Sequence, residues 1–282
     1  MLNIIKSDLY RMIHTKSFYI TTVVFIGFLI LTTFLLKVES VQITTEGTAQ
    51  VQTDDTSSDD NVNLGMSVAP NLDENNHITV TEDFYSNVSA KVVALFLVIF
   101  TATFVMGEFN SGYIKNMAGQ LKNRQNLIFS KMVALFCYTI IIFLITIITM
   151  IIGHRVILGY LVWGNIKQLI TYTLIQIVLN YALSVLVMTI AILLRNSVGA
   201  IIIAVCLCMN VMTIAYAGIN AIIGKAGVKN FNILKYTLTG KIAMLPVNAK
   251  YADNMQAVIV GLVFIIVLML ISCMSFKKRD IV

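Results

Sequence analysis

The sequence predicts an all-α integral membrane protein: six transmembrane helices, an amphipathic helix ahead of the first, and both termini in the cytoplasm. Three observations carry that expectation. Of 282 residues, 58% are hydrophobic and only 12% are charged, whereas a soluble domain is roughly half apolar and about a quarter charged. The apolar residues form unbroken runs rather than an amphipathic rhythm, and only a bilayer absorbs apolar surface all round a helix. The basic residues collect at the ends of those runs, where lipid head groups and topology signals act. The net charge of +6 therefore implies a membrane surface and no nucleic-acid partner.

The elements follow in chain order. Within 1–16, Leu2, Ile5, Leu9 and Ile13 share one helical face with Met12 beside them, while Lys6, Arg11 and Lys16 lie on others. This reads as an interfacial amphipathic helix in the plane of the inner leaflet; the alternative is a plain extension of the first span. The run 17–36 is longer than a signal-peptide core and no small-x-small cleavage site follows it, so it reads as a retained span. Further spans are expected at 89–107, 131–152, 168–194, 198–223 and 255–276, each able to cross about 30 Å of hydrocarbon at about 1.5 Å per residue. Lys91 falls in the first turn of the second, where it can snorkel to the head groups. The fourth is long enough to imply tilt. Cys137, Cys206, Cys208 and Cys273 all lie inside apolar stretches and read as small hydrophobes, without disulfide or metal spacing.

Six spans place both termini on one side. Lys6, Arg11 and Lys16 precede the first span, Lys115, Lys122, Arg124 and Lys131 mark the loop 108–130 and its end, and Lys277, Lys278 and Arg279 follow the last. The positive-inside rule puts these segments in the cytoplasm. The loop 37–88 instead carries ten acidic residues from Glu39 to Asp83 and is expected outside, flexible, with at most a short strand or helix. The loop 224–254 must also face outside although it holds Lys225, Lys229, Lys235, Lys241 and Lys250. Asn87-Val88-Ser89 matches a glycosylation sequon but abuts the membrane, and it reads as a chance match.

The chemistry of the sequence excludes several function classes. Ion-coupled carriers place ionisable groups at membrane depth, and apart from Lys91 and Lys131, each at an edge, the expected spans hold no Asp, Glu, Lys or Arg, so the interior is expected to be uncharged. The nearest approach to a P-loop, from Gly218 to Gly224-Lys225-Ala226, has the wrong spacing and lacks the hydroxyl residue after lysine. His14, His77 and His154 are scattered rather than set in a zinc-protease helix. Asp54-Asp55 and Asp59-Asp60 read as a solvated acidic tract, and a lipid-modifying enzyme would be favoured only if they bound a metal. No catalytic residue, resident cofactor or metal is expected. Gln176, Asn180 and Ser184 recur every four residues on the fourth span, with Asn210 on the fifth. They read either as interhelical hydrogen bonding or as the lining of a substrate path.

The stretch after the second span runs Gly107-Glu108-Phe109-Asn110-Ser111-Gly112-Tyr113-Ile114-Lys115-Asn116, then Gly119, Lys122, Arg124 and Ser130-Lys131. It resembles the membrane subunits of type 2 (ABC-2) ABC transporters, in which a span-two glutamate, an aromatic, a glycine, an aliphatic-basic-Asn step, a basic patch and a Ser-Lys start to span three occur in that order. The resemblance covers nearly the whole chain: residues 1–16 look like the family's elbow helix, and 224–254 like its outer hairpin. One departure is Gln120-Leu121-Lys122-Asn123-Arg124, where the family commonly has Gly-x-x-Arg.

The resemblance implies an ABC-2 exporter fold and a permease subunit in a bacterial plasma membrane. Its partners would be an ABC ATPase subunit, which holds ATP and magnesium, and a second permease copy, identical or related. The implied cargo is hydrophobic or amphipathic, such as an antimicrobial peptide or drug, in the manner of small bacterial members serving lantibiotic immunity. Glu108, Phe109, Gly112, Tyr113, Ile114, Lys115, Asn116, Met117, Lys122 and Arg124 would contact the ATPase, with Phe109, Tyr113 and Met117 on one face of a short helix. The alternative is a membrane sensor or scaffold whose acidic outer loop binds a ligand.

Overall fold

The computed structural model describes residues 2–45, 77–111, 125–209, 211, 219 and 233–278, and among them the fold is entirely helical. The helices are α1 (Leu2–His14), α2 (Lys16–Thr45), α3 (Val80–Ser89), α4 (Val92–Asn110), α5 (Gln125–Gly153), α6 (Ile166–Leu194), α7 (Ser197–Cys208), α8 (Leu238–Met244) and α9 (Tyr251–Lys278). A π-turn, His154–Leu158, extends α5, and a 3-10 turn, Ile233–Tyr236, precedes α8. Among the described residues, five segments are long and apolar enough to cross a membrane: Lys16–Val38, Val92–Phe109, Gln125–Leu158, Ile166–Leu194 and Tyr251–Ser275. The protein is membrane-embedded, and its described residues form an all-helical fold.

Three of the six expected spans, the first, fourth and sixth, match these helices closely, and the other three differ for physical reasons. The second begins at Val92 rather than at 89, because Lys91 adopts a left-handed backbone (φ 64°) that breaks α3 from α4. Its carbonyl nevertheless receives the Leu95 amide and starts the new helix. The third extends well past 131–152 at both ends, where Ser130 and His154 are buried within the bundle while Gln125 and Arg155 face out. The fifth is represented by α7, whose 12 residues span only about 18 Å; residues 210, 212–218 and 220–223 lie outside the described residues.

The core is built on α4 and α6. Val93, Leu97, Phe100, Phe104 and Val105 of α4, and Leu179, Leu183, Val187 and Met188 of α6, are almost completely buried. Helix α7 lays Ala200, Ala204 and Cys208 against α4, a four-residue stripe of small side chains that permits close approach. Helix α9 runs parallel to α6, with Gly261 beside Val178 and Ser272 hydroxyl-bonded to Thr189 (2.9 Å). Its outward face, including Ile259, Leu262, Val263, Ile266 and Leu270, is exposed, as suits lipid contact.

The bundle has two ends of different character. At one, α1 packs against the start of α5. At the other, α3 and α8 meet each other and lie across α6. Helix α8 is tied down by Gln176, whose amide donates to the Ile242 carbonyl (3.3 Å), and by Lys241, whose ammonium donates to Gln256 (2.9 Å). Its Thr237 cap accepts from Gly240 N (3.3 Å). A side chain at Gly240 would overlap the Leu234 carbonyl oxygen and sit 2.8 Å from Thr237 Oγ1. Gly240→Val should therefore destabilise the purified protein by about 1–3 kcal/mol, read as a lower thermal midpoint in detergent. Gly27→Ala, with no atom within 4 Å of the added carbon, should leave that midpoint unchanged.

Candidate functional site

The expectation of an uncharged interior is corrected by the side chains at the α1 end. Asp8, Glu108 and Lys131 are all essentially excluded from solvent, and Arg11 is partly so. Each arrives from a different place. Helix α1 turns Ile4, Asp8 and Met12 inward at four-residue spacing, so Asp8 sits in the middle of its packed stripe. The face expected to be apolar divides: Leu9 packs against the core, whereas Leu2 and Ile13 are exposed. Glu108 lies on the last turn of α4, and Ser130 and Lys131 on the second turn of α5.

The groups interlock. Glu108 pairs with Lys131 through one carboxylate oxygen and with Arg11 Nη1 (3.4 Å) through the other. Ser130 donates its hydroxyl proton to Asp8 Oδ2. Asp8 also attracts the Lys131 ammonium, and Arg11 repels it. Two acids thus face two bases, which is the condition for keeping charge in a low-dielectric interior. The apolar side is sealed by aromatics. Lys131 Nζ lies 5.8 Å from the Phe104 ring centre, and Phe104 stacks on Phe100, which stacks on Tyr138 (3.8 Å). Ser17 Oγ bonds Thr103 Oγ1 (2.9 Å), and the Tyr181 hydroxyl donates to the Met132 carbonyl (3.1 Å), adding α2 and α6 to the assembly.

These contacts form a neck that joins the two helices flanking the segment 112–124, for which the sequence raised the expectation of an ATPase contact. Glu108 is buried in the neck and Phe109 is half-buried against the core. Helix α4 continues to Asn110, with Ser111 N closing its last turn on the Gly107 carbonyl (3.1 Å). Gly112, Tyr113, Ile114, Lys115, Asn116, Met117, Lys122 and Arg124 lie outside the described residues. The two described members of the set therefore belong to the root of the segment.

The family described as "Protein of unknown function (DUF2705)" matches residues 65–282. The chain belongs to this family. No curated protein matches it. The DUF2705 match takes in Glu108, Ser130 and Lys131 and stops short of Asp8 and Arg11, so half of the ion network lies outside the matched region.

The candidate path residues come together in part. Gln176, Asn180 and Ser184 are completely buried, and Asn180 donates to the Gln176 carbonyl (2.9 Å) while Ser184 donates to that of Asn180 (3.0 Å). The Gln176 link to Ile242 is interhelical. Asn180 Oδ1 is buried with no partner among the described residues. Asn210 lies outside them.

A second buried pair was not expected from the sequence. Asp83 of α3 and His154 of the π-turn are both fully buried, with Nε2 3.1 Å from Oδ2. Asn87 donates to Asp83 Oδ1 (2.8 Å) and to its carbonyl (3.0 Å), so the sequon asparagine is an interior group. Beside it, burial and the Glu82 carboxylate push the Tyr85 phenol above its ordinary pKa, which keeps it neutral. The sequence signal was present: Asp83 lies one turn before Asn87 and beside the apolar Val80–Phe84–Val88 stripe. Its partner, 71 residues away, was not legible.

Removing one member of the inner network should expose its dependence on pairing. Lys131→Met leaves two buried acids facing only Arg11 and should cost about 3–5 kcal/mol. Glu108→Gln combined with Lys131→Met should recover a large part of that loss. The thermal midpoints of both single variants and the double variant in detergent measure the coupling; strict additivity would show that the two side chains do not interact.

Proposed function

We propose that this chain is the permease subunit of an ATP-driven ABC-2 exporter. It spans a bacterial plasma membrane six times with both termini inside, and it works with an ABC ATPase and a second permease copy. The observation that carries this reading is the ordered pattern from Gly107 to Lys131, set between two helices whose roots are tied to each other and to α1 by buried charges.

A soluble motor that moves a membrane helix needs a stiff attachment, because a loose one absorbs the motion. The neck meets that need. A push on the 112–124 segment would be delivered to α4 and α5 together, and through Arg11 and Asp8 to α1. In this scheme Tyr113 and Met117 seat in the ATPase, Lys115 and Arg124 orient it by charge complementarity, and Glu108 acts indirectly by holding the root. ATP hydrolysis belongs to the partner subunit. The buried ionisable groups support this division of labour. Glu108, Lys131, Asp83 and His154 lie at the ends of the spans and in close pairs, and farther along the bundle Gln176, Asn180 and Ser184 form a polar stripe on α6. A cargo with large apolar surface suits such a path.

The reading is tested by co-purification and reconstitution. The chain should isolate with a P-loop ATPase in near-equal amounts, and vesicles holding both should hydrolyse ATP faster with cargo present. Tyr113→Ala combined with Lys115→Glu should reduce that stimulation at least about tenfold, in the usual range of coupling between sites, while the protein still inserts. Isolation with a signalling protein and no ATPase would overturn the proposal, as would uphill transport by the chain alone on an ion gradient.

A further inference from the structure

The geometry points to α3 as a hinged plug at the end of the bundle opposite the neck, held shut by the Asp83–His154 pair. Three observations converge on it. First, α3 is a short helix in a buried position: seven of its ten residues are buried, and it packs against α4, α5, α6 and α8. Phe84 sits among aromatic rings of two other helices, Phe143 at 6.2 Å and Tyr172 at 6.2 Å.

Second, α3 is jointed. It ends at Ala90, and Lys91 takes the left-handed conformation before α4 starts in a new direction. A non-glycine residue there is strained, and such joints absorb the backbone change when one element swings on another. The other end is clasped rather than continuous. Val80 N donates to the Val162 carbonyl (2.9 Å), and Thr81 Oγ1 donates to the Trp163 carbonyl (3.1 Å). Gly164, with φ 55°, is what lets the clasp close, since a side chain there would meet Thr81 Oγ1 at 3.0 Å.

Third, the contact between His154 Nε2 and Asp83 Oδ2 (3.1 Å) fastens α3 to the wall. His154 opens the π-turn, and the wider turn keeps His154 inside while Arg155 and Val156 face out. Single π-turns in α-helices cluster at functional sites. The pair is incompletely satisfied: His154 Nδ1 and Asn87 Oδ1 are buried without a hydrogen-bond partner among the described residues. A purely structural pair would gain from partners for both atoms; this one holds while remaining breakable. Only the consequence for cargo, which would have to displace α3 on leaving, depends on the transporter reading.

The test uses the full chain in nanodiscs, where both faces are open to reagent, with the four native cysteines replaced by alanine. Ser86→Cys reports on α3 and Ala182→Cys on the centre of α6; both positions are buried. A bulky hydrophilic maleimide should label Ser86→Cys slowly, and His154→Ala should accelerate it at least about tenfold with no change at Ala182→Cys. Asp83→Asn, nearly the same shape, should give a smaller acceleration and decides the matter alone if His154→Ala does not insert. Unchanged labelling at Ser86→Cys, or equal acceleration at both positions, would overturn the latch. The assay needs neither ATPase nor cargo, so its failure leaves the transporter reading intact, and failure to isolate an ATPase leaves the latch intact.

Discussion

Charge buried in a lipid-surrounded bundle has no water to fall back on, so every ionised group must find its complement inside the protein. This constraint organises the α1 end. Glu108 could not occupy the last turn of α4 without Lys131 and Arg11, and Lys131 could not occupy α5 without Glu108 and Asp8. Helix α1 is thereby recruited twice, once through Asp8 and once through Arg11. Apolar contact alone would let α1 slide along the head-group layer; an ion network with specific partners fixes its register. Replacing such a network by hydrophobic residues is often neutral or stabilising in soluble proteins. Stability alone therefore gives little reason for this one, and fixed mutual position gives a better one.

The same rule at the opposite end produces a different outcome because the partners are fewer. There the Asp83–His154 pair is supported by Asn87 and bordered by polar atoms unmatched among the described residues. The two ends form a contrast of a four-member network and a single tie. The network joins helices that continue as long spans, and the tie fastens a ten-residue helix that is jointed on one side and clasped on the other. A rigid neck and a releasable plug at opposite ends are the parts that a motion transmitted along a bundle would require.

The membrane character, three of the spans and the polar stripe of α6 were legible in the sequence because each is a local pattern. A run of apolar residues declares itself, and so does a four-residue rhythm of Gln176, Asn180 and Ser184. The buried charges were not legible for the opposite reason. Asp8 looks like part of a polar helix face until α5 brings Ser130, 122 residues away, onto it. Lys131 looks like a topology signal at a span entrance until Glu108 is seen beneath it. In hindsight one signal was readable: Asp8 lies four residues from both Ile4 and Met12, and an acid in the middle of an apolar stripe demands a partner. The lysines that weaken the positive-inside assignment follow the same logic. Lys241 is almost fully buried and bonded to Gln256, so it is an interior donor and carries less weight as a topology marker.

Helix α3 shows why composition misleads at a boundary. Residues 37–88 taken together are acidic and polar, which implies a solvated loop. The last ten before Ala90 nevertheless carry Val80, Phe84 and Val88 at helical spacing, and they fold into the bundle. Averaging over the whole loop hides them, because the acidic tract before 77 dominates the count. Once buried, Asp83 needs a partner, and that requirement brings His154 inward and accounts for the widened turn at the end of α5. The π-turn, the left-handed Lys91 and the positive φ of Gly164 are three departures from regular geometry within one corner of the molecule. The left-handed Lys91 and the π-turn are costly alone, Gly164 supplies its φ without a steric penalty, and each serves to seat the same short helix. Strain concentrated on one removable element is difficult to attribute to packing, which could have been met more cheaply by an uninterrupted span, and it is the arrangement expected where that element has two positions.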